Sequence, residues 1–245
     1  KEVKDFATVA LSGECADEIF GGYPWYRDTD IRMTDGFPWS RSTAYRKSLL
    51  KDDFVQDNCE EYVYDRYKAT ISKVKDCNSL SPLEKRMREM MRLNLEWFMQ
   101  TLLDRKDRMS MYNGLEVRVP FCDYRIVEYL YQVPWEYKDY KGREKGLLRE
   151  AMKEYLPEEV LWRKKSPYPK THNPSYENAV KAQLSEVIND KSSPVLQLLK
   201  KDKLQELVDG REKVQWYGQL MNNPQIIAYI LQINYWLKKY NIHIL

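Results

Sequence analysis

The chain has 245 residues, with 40 Lys and Arg against 37 Asp and Glu and a formal charge of +3, a balance that gives no broad electrostatic footprint for nucleic acid. Nineteen tyrosines and seven tryptophans suit a packed globular protein rather than a disordered one, and no stretch reaches the ~20 apolar residues needed to span a bilayer. Four scattered cysteines (Cys15, Cys59, Cys77, Cys122), no CxxC pair and two histidines argue against a zinc site and for reduced thiols in a cytoplasmic protein. The chain opens at Lys1 with neither an initiator Met nor a signal peptide, so the expectation is a start inside a longer protein.

Phe6–Leu11, FATVAL, is a short apolar run with β-branched members and predicts a buried strand. Ser12-Gly13 breaks it. Ala16–Phe20 predicts a short helix, closed by Gly21-Gly22. Thr34–Ser42 reads as a loop, and most of the chain beyond it reads as helix. Ser81-Pro82-Leu83-Glu84 predicts a helix start with Ser81 as cap, Pro82 in the first turn and Glu84 completing a capping box. Leu83, Met87, Met90 and Met91 then share one face, and the helix is expected to run to about Asp104 or Arg105. Asp123 predicts a cap for Arg125–Gln132. Further helices are expected over Glu144–Tyr155, Ser175–Val187 and Lys203–Val208. A last one opens at Pro224, with Ile226, Ile227, Ile230, Ile233, Trp236 and Leu237 on its apolar side.

No second strand stands out. One strand cannot form a sheet, because its backbone groups would lack partners, so FATVAL is expected to pair with strands outside this chain. Three carboxylates, Glu14, Asp17 and Glu18, gather just beyond its end. Their mutual repulsion calls for a cation or ammonium group beside them. Read alone, the cluster also fits an ordinary acid-rich first helical turn, favoured by the helix dipole.

The segment SGECADEIFGGY resembles the SGEGxDExFGGY signature of the glutamine-hydrolysing asparagine synthetase family. DRMSMYNGLEVRVPFCD, Asp107–Asp123, is similar to that family's DRxSMxxSLExRxPFLD segment. EKGLLREAMKEYLP, Glu144–Pro157, is similar to its KxxLRxxxxxxLP segment, and VLWRKKSPYPKTHNP, Val160–Pro174, to the family's next region. Four motifs in family order cover most of residues 7–174, whereas residues 175–245 carry none.

The resemblance implies a mainly α chain: the helical C-terminal part of an α/β, adenine-nucleotide α-hydrolase-like (ATP pyrophosphatase) synthetase domain, with one N-terminal strand left from its parallel sheet. It implies ATP and Mg2+ as cofactors. The β-carboxylate of aspartate would be adenylated, and the β-aspartyl-AMP attacked by ammonia derived from glutamine. The family's N-terminal glutaminase domain and SGGxDS ATP loop do not occur in residues 1–245 and are expected elsewhere in the full protein. A homodimer is compatible with this reading; nucleic-acid and membrane partners are not expected.

By the same resemblance, Glu14 and Lys145 are the catalytic candidates, Glu14 as general base and Lys145 as the cation that stabilises the transferring phosphate. Ser12, Gly13, Asp17, Arg105 and Arg108 are candidates for substrate contact, with Asp17 also able to meet Mg2+–pyrophosphate. Glu116 and Arg118 read either as substrate contacts or as a buried pair beneath the site. Arg149 reads as a partner of that face or of Glu150 or Glu154. Lys164 and Lys165 read as phosphate contacts or as part of a loop, Ser166–Pro174, with three prolines. Cys15 stands where the family has Gly; if that backbone is left-handed, the side chain costs about 1 kcal/mol or more, and a packing role is expected for the thiol. Two alternatives remain: a related amide-forming ligase of the β-lactam-synthetase or peptide-cyclising kind, in which tyrosines share the base work, and a non-catalytic helical interaction module marked by an exposed apolar stripe.

Overall fold

The computed structural model describes residues 1–40, 43–55, 58–75, 80–166, 173–211 and 222–244. Cys77 and most of the 166–174 proline loop lie outside them. In chain order the elements are β1 (Val9–Leu11), α1 (Ala16–Phe20), α2 (Thr29–Arg32), α3 (Ala44–Leu49), α4 (Cys59–Ile71), α5 (Pro82–Leu93), α6 (Gln100–Met111) and β2 (Glu116–Arg118). Then come α7 (Tyr124–Gln132), α8 (Trp135–Lys138), α9 (Gly146–Ala151), α10 (Glu158–Leu161), α11 (Pro174–Asn189), α12 (Val195–Leu198), α13 (Lys201–Val208) and α14 (Asn223–Lys239).

The fold is mostly helical, with a small parallel sheet. FATVAL does not stand alone: β1 pairs with β2 in the register Val9↔Glu116, Ala10↔Val117, Leu11↔Arg118. The expected lone strand is thus corrected to a two-stranded sheet. Nor is β1 buried. Val9 and Leu11 are exposed, Leu11 at 74 %, and Phe6 just before them at 92 %. Strand side chains alternate between faces, so Val9 and Leu11 share one face with Glu116 and Arg118, while Ala10 and Val117 share the other. Glu116 and Arg118 form an exposed pair at 2.7 Å, not a buried one beneath the site.

The chain divides into two compact units. The first comprises residues 1–35 and 66–165. Its long helical run starts as the sequence indicates, with the Ser81 hydroxyl accepting from the Glu84 N–H at 3.2 Å. Glu84 does not close the capping box: its carboxylate accepts from the Trp135 N–H at 2.9 Å. Between α5 and α6 the backbone passes through a π-helical stretch, Asn94–Met99, without leaving the helix, so the run extends to Met111 rather than stopping near 104. At its start Asn94 is fully buried and donates to the Met90 carbonyl at 2.7 Å and to the Tyr26 hydroxyl at 3.2 Å. A core of Cys15, Ala16, Ile19, Phe20, Met91 and Leu130 fixes α1 in place.

The second unit comprises residues 36–65 and 166–245. It has its own core of Leu49, Leu184, Leu204, Leu207, Ile226, Ile227 and Ile230, contributed by α3, α11, α13 and α14. On α14 the expected apolar side holds except at Trp236, which is half-exposed beside Tyr240, while Asn234 is buried and accepts from the Val195 N–H at 3.3 Å.

Candidate active site

Glu14, Asp17 and Glu18 leave the tip of β1 in three directions, and the backbone between them explains why. Cys15 has φ 77°, a left-handed conformation, so Glu14 stays off the helix that begins at Ala16. Gly21 is left-handed too, and a Cβ there would sit 2.3 Å from the Trp135 ring. At Gly22 a Cβ would lie 1.8 Å from the Asp17 carboxylate. The GG pair therefore closes α1 and leaves the space in which the Asp17 side chain folds back.

Each oxygen of Asp17 takes one ammonium. Lys145 lies 3.1 Å from Oδ1 and Lys165 2.9 Å from Oδ2. Burial pushes the Asp17 carboxyl up, but the two lysines outweigh it and its pKa falls below the usual value. Lys145 is itself left-handed, at φ 57°, just ahead of α9; next to it, a Cβ at Gly146 would strike the Tyr140 backbone at 2.5 Å. Lys165 also donates to the Gly22 carbonyl at 3.3 Å and lies 4.8 Å from the centre of the Tyr23 ring.

Glu18 is 1 % exposed. The Tyr23 hydroxyl donates to its carboxylate at 2.7 Å, and the Tyr26 hydroxyl to its backbone carbonyl at 3.0 Å. Burial raises its pKa, and burial together with the Glu18 charge pushes the Tyr23 phenol up. Glu18 is thus a packed, hydrogen-bonded group that holds the α1 turn, and the burial of Cys15, which raises its thiol pKa strongly, makes that thiol a packing group as expected.

Glu14 pairs with a residue the sequence did not mark. Lys106, on α6, lies 2.8 Å from Glu14 Oε1 and donates to the Ser12 hydroxyl at 2.8 Å. Ser12 is anchored through its N–H, which donates to the Arg118 carbonyl at 2.9 Å. No signal in the sequence separates Lys106 from its neighbours Arg105 and Arg108. Yet Arg108 is turned to Asp104 on the exposed face of α6, Arg105 is exposed, and among the described contacts no hydrogen bond or ion pair joins either to the carboxylates. A Cβ at Gly13 would meet nothing within 4 Å, so open space borders the β1 tip.

Arg149 does not pair with Glu150 or Glu154. It holds Glu144 at 2.9 Å and donates to the Leu161 and Arg163 carbonyls, tying α9 to the segment that presents Lys164 and Lys165. A cleft of about 330 Å³, lined by Tyr23, Arg27, Arg143, Glu144, Lys164 and Lys165, opens beside Asp17. Arg27 is committed to Asp139 and the Gly21 carbonyl; among the described contacts Arg143 and Lys164 have no acidic partner. The cleft has an excess of positive charge.

Chemically, the site offers one carboxylate held between two ammonium groups, a second held by one ammonium, and a basic cleft beside them. Such a set suits a polyanionic ligand. Both Asp17 oxygens are already paired with lysines, so a Mg2+ ion would be held here mainly by the phosphate oxygens of a bound substrate and by water. The described residues provide no all-protein cage for the ion.

The sequence model of the asparagine synthase family matches residues 1–238. Asparagine synthetase [glutamine-hydrolyzing] 3 of Bacillus subtilis is 47 % identical over the whole chain, which covers 40 % of that protein. Asparagine synthetase [glutamine-hydrolyzing] 1 of the same organism is 29 % identical over 69 % of the chain and 32 % of its own length. The human asparagine synthetase [glutamine-hydrolyzing] is 41 % identical over 35 % of the chain and 16 % of its own length. The chain thus spans less than half the length of these curated relatives.

Proposed function

We propose that this chain, which belongs to the asparagine synthase family, contributes the carboxylate-activating half of an ATP-dependent ligase site that amidates aspartate to asparagine. In this reading the β-carboxylate is adenylated and the β-aspartyl-AMP is opened by ammonia drawn from glutamine. One observation carries the reading: Asp17 is gripped by Lys145 and by Lys165, and Lys165 also lines a basic cleft. Adenylation builds charge on phosphate oxygens, and preformed ammonium groups that need not reorganise stabilise it. Lys145 and Lys165 are compact point charges suited to that task. Asp17 keeps them in place, and a Mg2+ ion bound with the nucleotide would neutralise the charge of the departing pyrophosphate. Glu14 takes a proton from the attacking nitrogen, while Ser12 and the open space at Gly13 border the substrate. Arg105 and Arg108 receive no step.

The full protein also carries a glutaminase domain and the remaining strands of the sheet, which pair along the open edge of β1. It works in the cytoplasm, where the thiols of Cys15, Cys59 and Cys122, all unbridged, stay reduced. No described helix is long and apolar enough to cross a membrane. The related-ligase and interaction-module alternatives gain no support from relatives whose names all specify asparagine synthetase.

Lys145→Ala in the full-length enzyme tests the reading. Aspartate-dependent pyrophosphate release should fall by about 100-fold or more, while glutamine hydrolysis persists. Undiminished pyrophosphate release would remove Lys145 from the mechanism.

A further inference from the structure

The contact between Lys106 and the β1 tip has no place in adenylation itself. The Lys106 ammonium has three donors. One is used on the Ser12 hydroxyl at 2.8 Å, and the ammonium forms an ion pair with Glu14 Oε1, also at 2.8 Å. Both partners sit on the strand-to-helix turn, whereas Lys106 comes from α6, more than ninety residues later in sequence. The pair is not a loose surface bridge: Lys106 and Glu14 side chains are 29 % and 21 % exposed.

Glu14 needs such a tether. It precedes a left-handed residue and lies outside α1, so helix packing does not fix its side chain. Glu18 is a second carboxylate close enough for the two charges to repel each other. Lys106 is the one cation joined to Glu14 among the described contacts, and the recorded contact is with Oε1. Oε2 has no described hydrogen-bond partner and is left to accept a proton.

We infer that Lys106 is a positioning residue that clamps Glu14 through Oε1 and aims Oε2 at the incoming amine, so that the activated carboxyl group is captured by ammonia rather than by water. The inference rests on the reading of Glu14 as the base. In the step concerned, the nitrogen of ammonia forms a bond to the carbonyl carbon, the bond from that carbon to the phosphate oxygen breaks, AMP leaves, and one nitrogen-bound proton passes to Glu14. Water attacking the same carbon would give back aspartate and AMP. A mobile Glu14 slows the first path and leaves the second open. Positioning terms of this kind are worth orders of magnitude when lost in full.

The test uses the full-length enzyme with an ammonium salt as nitrogen source, and reads asparagine formed per pyrophosphate released. For Lys106→Met this ratio should fall about threefold or more, with a raised KM for ammonium. Lys106→Arg, which keeps a cationic donor, should recover most of the ratio. A structural tie would behave differently: rate and melting temperature would drop together while the ratio stayed at the wild-type value, and that result would overturn the inference, as would a Lys106→Met enzyme with unchanged ratio and KM. Glu14→Gln separates the two layers. If Glu14→Gln keeps the wild-type rate and ratio, the role of Glu14 as base fails; if it abolishes asparagine formation while Lys106→Met leaves the ratio intact, only the role of Lys106 fails.

Discussion

Two residues of the candidate site, Cys15 and Lys145, hold left-handed backbones without being glycine. Each conformation costs of order 1 kcal/mol and persists only where surrounding contacts outweigh it. Cys15 is held by the core around α1, Lys145 by Asp17 and by the close approach of Gly146 to Tyr140. A second cost lies at Lys138. It is 6 % exposed, its ammonium faces the Met91 sulfur at 3.8 Å, and burial, partly countered by Glu84, pushes its pKa down to about 8. Folded Lys138 binds its proton more weakly than the unfolded lysine, whose value is 10.5. The burial penalty is therefore complete below pH 8, shrinks as pH rises from 8 to 10.5, and is absent above that window. Lys138→Met should accordingly be the more stable protein at pH 7, by up to roughly 3 kcal/mol. Its advantage in Tm over the wild type should close between pH 8 and 10.5; a gap that does not change with pH would show that the lysine is not folded at a cost.

At the scale of elements, local chemistry decides where helices begin. The Ser81 cap on α5 is one case, and Ser81→Ala should lower stability by about 1 kcal/mol, read as a shift in denaturant midpoint at constant slope. The loss should stop there, because Glu84 contributes through Trp135 rather than through the cap. Asp123, which accepts from the Arg125 N–H, and Asn173, which accepts from the Ser175 N–H, are caps of the same kind. The starts at Ser81 and Asp123 are legible in the sequence because donor, acceptor and chain direction lie within three residues, whereas the helix capped by Asn173 begins at Pro174, one residue ahead of the expected Ser175. The end of α9 is not: Met152–Tyr155 carries helix formers and no breaker, yet the helix stops at Ala151. Nor is β2 plain: Leu115–Val119 alternates apolar and polar residues, but the run is only five residues long and becomes a strand by pairing with β1. The π-helical stretch is hidden for a third reason, since apolar spacing on either side of it remains helical. The site divides along the same line. Glu14, Asp17 and Lys145 sit in segments with a recognisable pattern. Lys106 lies outside those segments and comes to the site only through tertiary packing, over a sequence separation of 94 residues from Ser12; Lys165 lies in the Val160–Pro174 segment, but its pairing with Asp17, 148 residues away, is set by packing too.

At the scale of the whole molecule, the most consequential feature is a face left uncovered. The Glu116 N–H donates to the Thr8 carbonyl and the Ser12 N–H to the Arg118 carbonyl, so even-numbered residues of this stretch point their backbone groups at β2. Val9 and Leu11 point theirs away, toward an edge with no described partner. Beside that edge stand the exposed side chains of Phe6, Val9 and Leu11. An unpaired edge next to apolar side chains is a template for another strand, and a net charge of only +3 over 245 residues provides little repulsion to keep copies apart. Produced by itself, residues 1–245 should therefore self-associate with rising concentration, as seen by light scattering. Leu11→Lys puts a charge on the sheet face next to that edge without touching the β1–β2 hydrogen bonds, and it should lower the association while leaving the helical circular dichroism unchanged. Association that ignores Leu11→Lys would move the sticky surface elsewhere and leave the β1 edge without consequence for assembly.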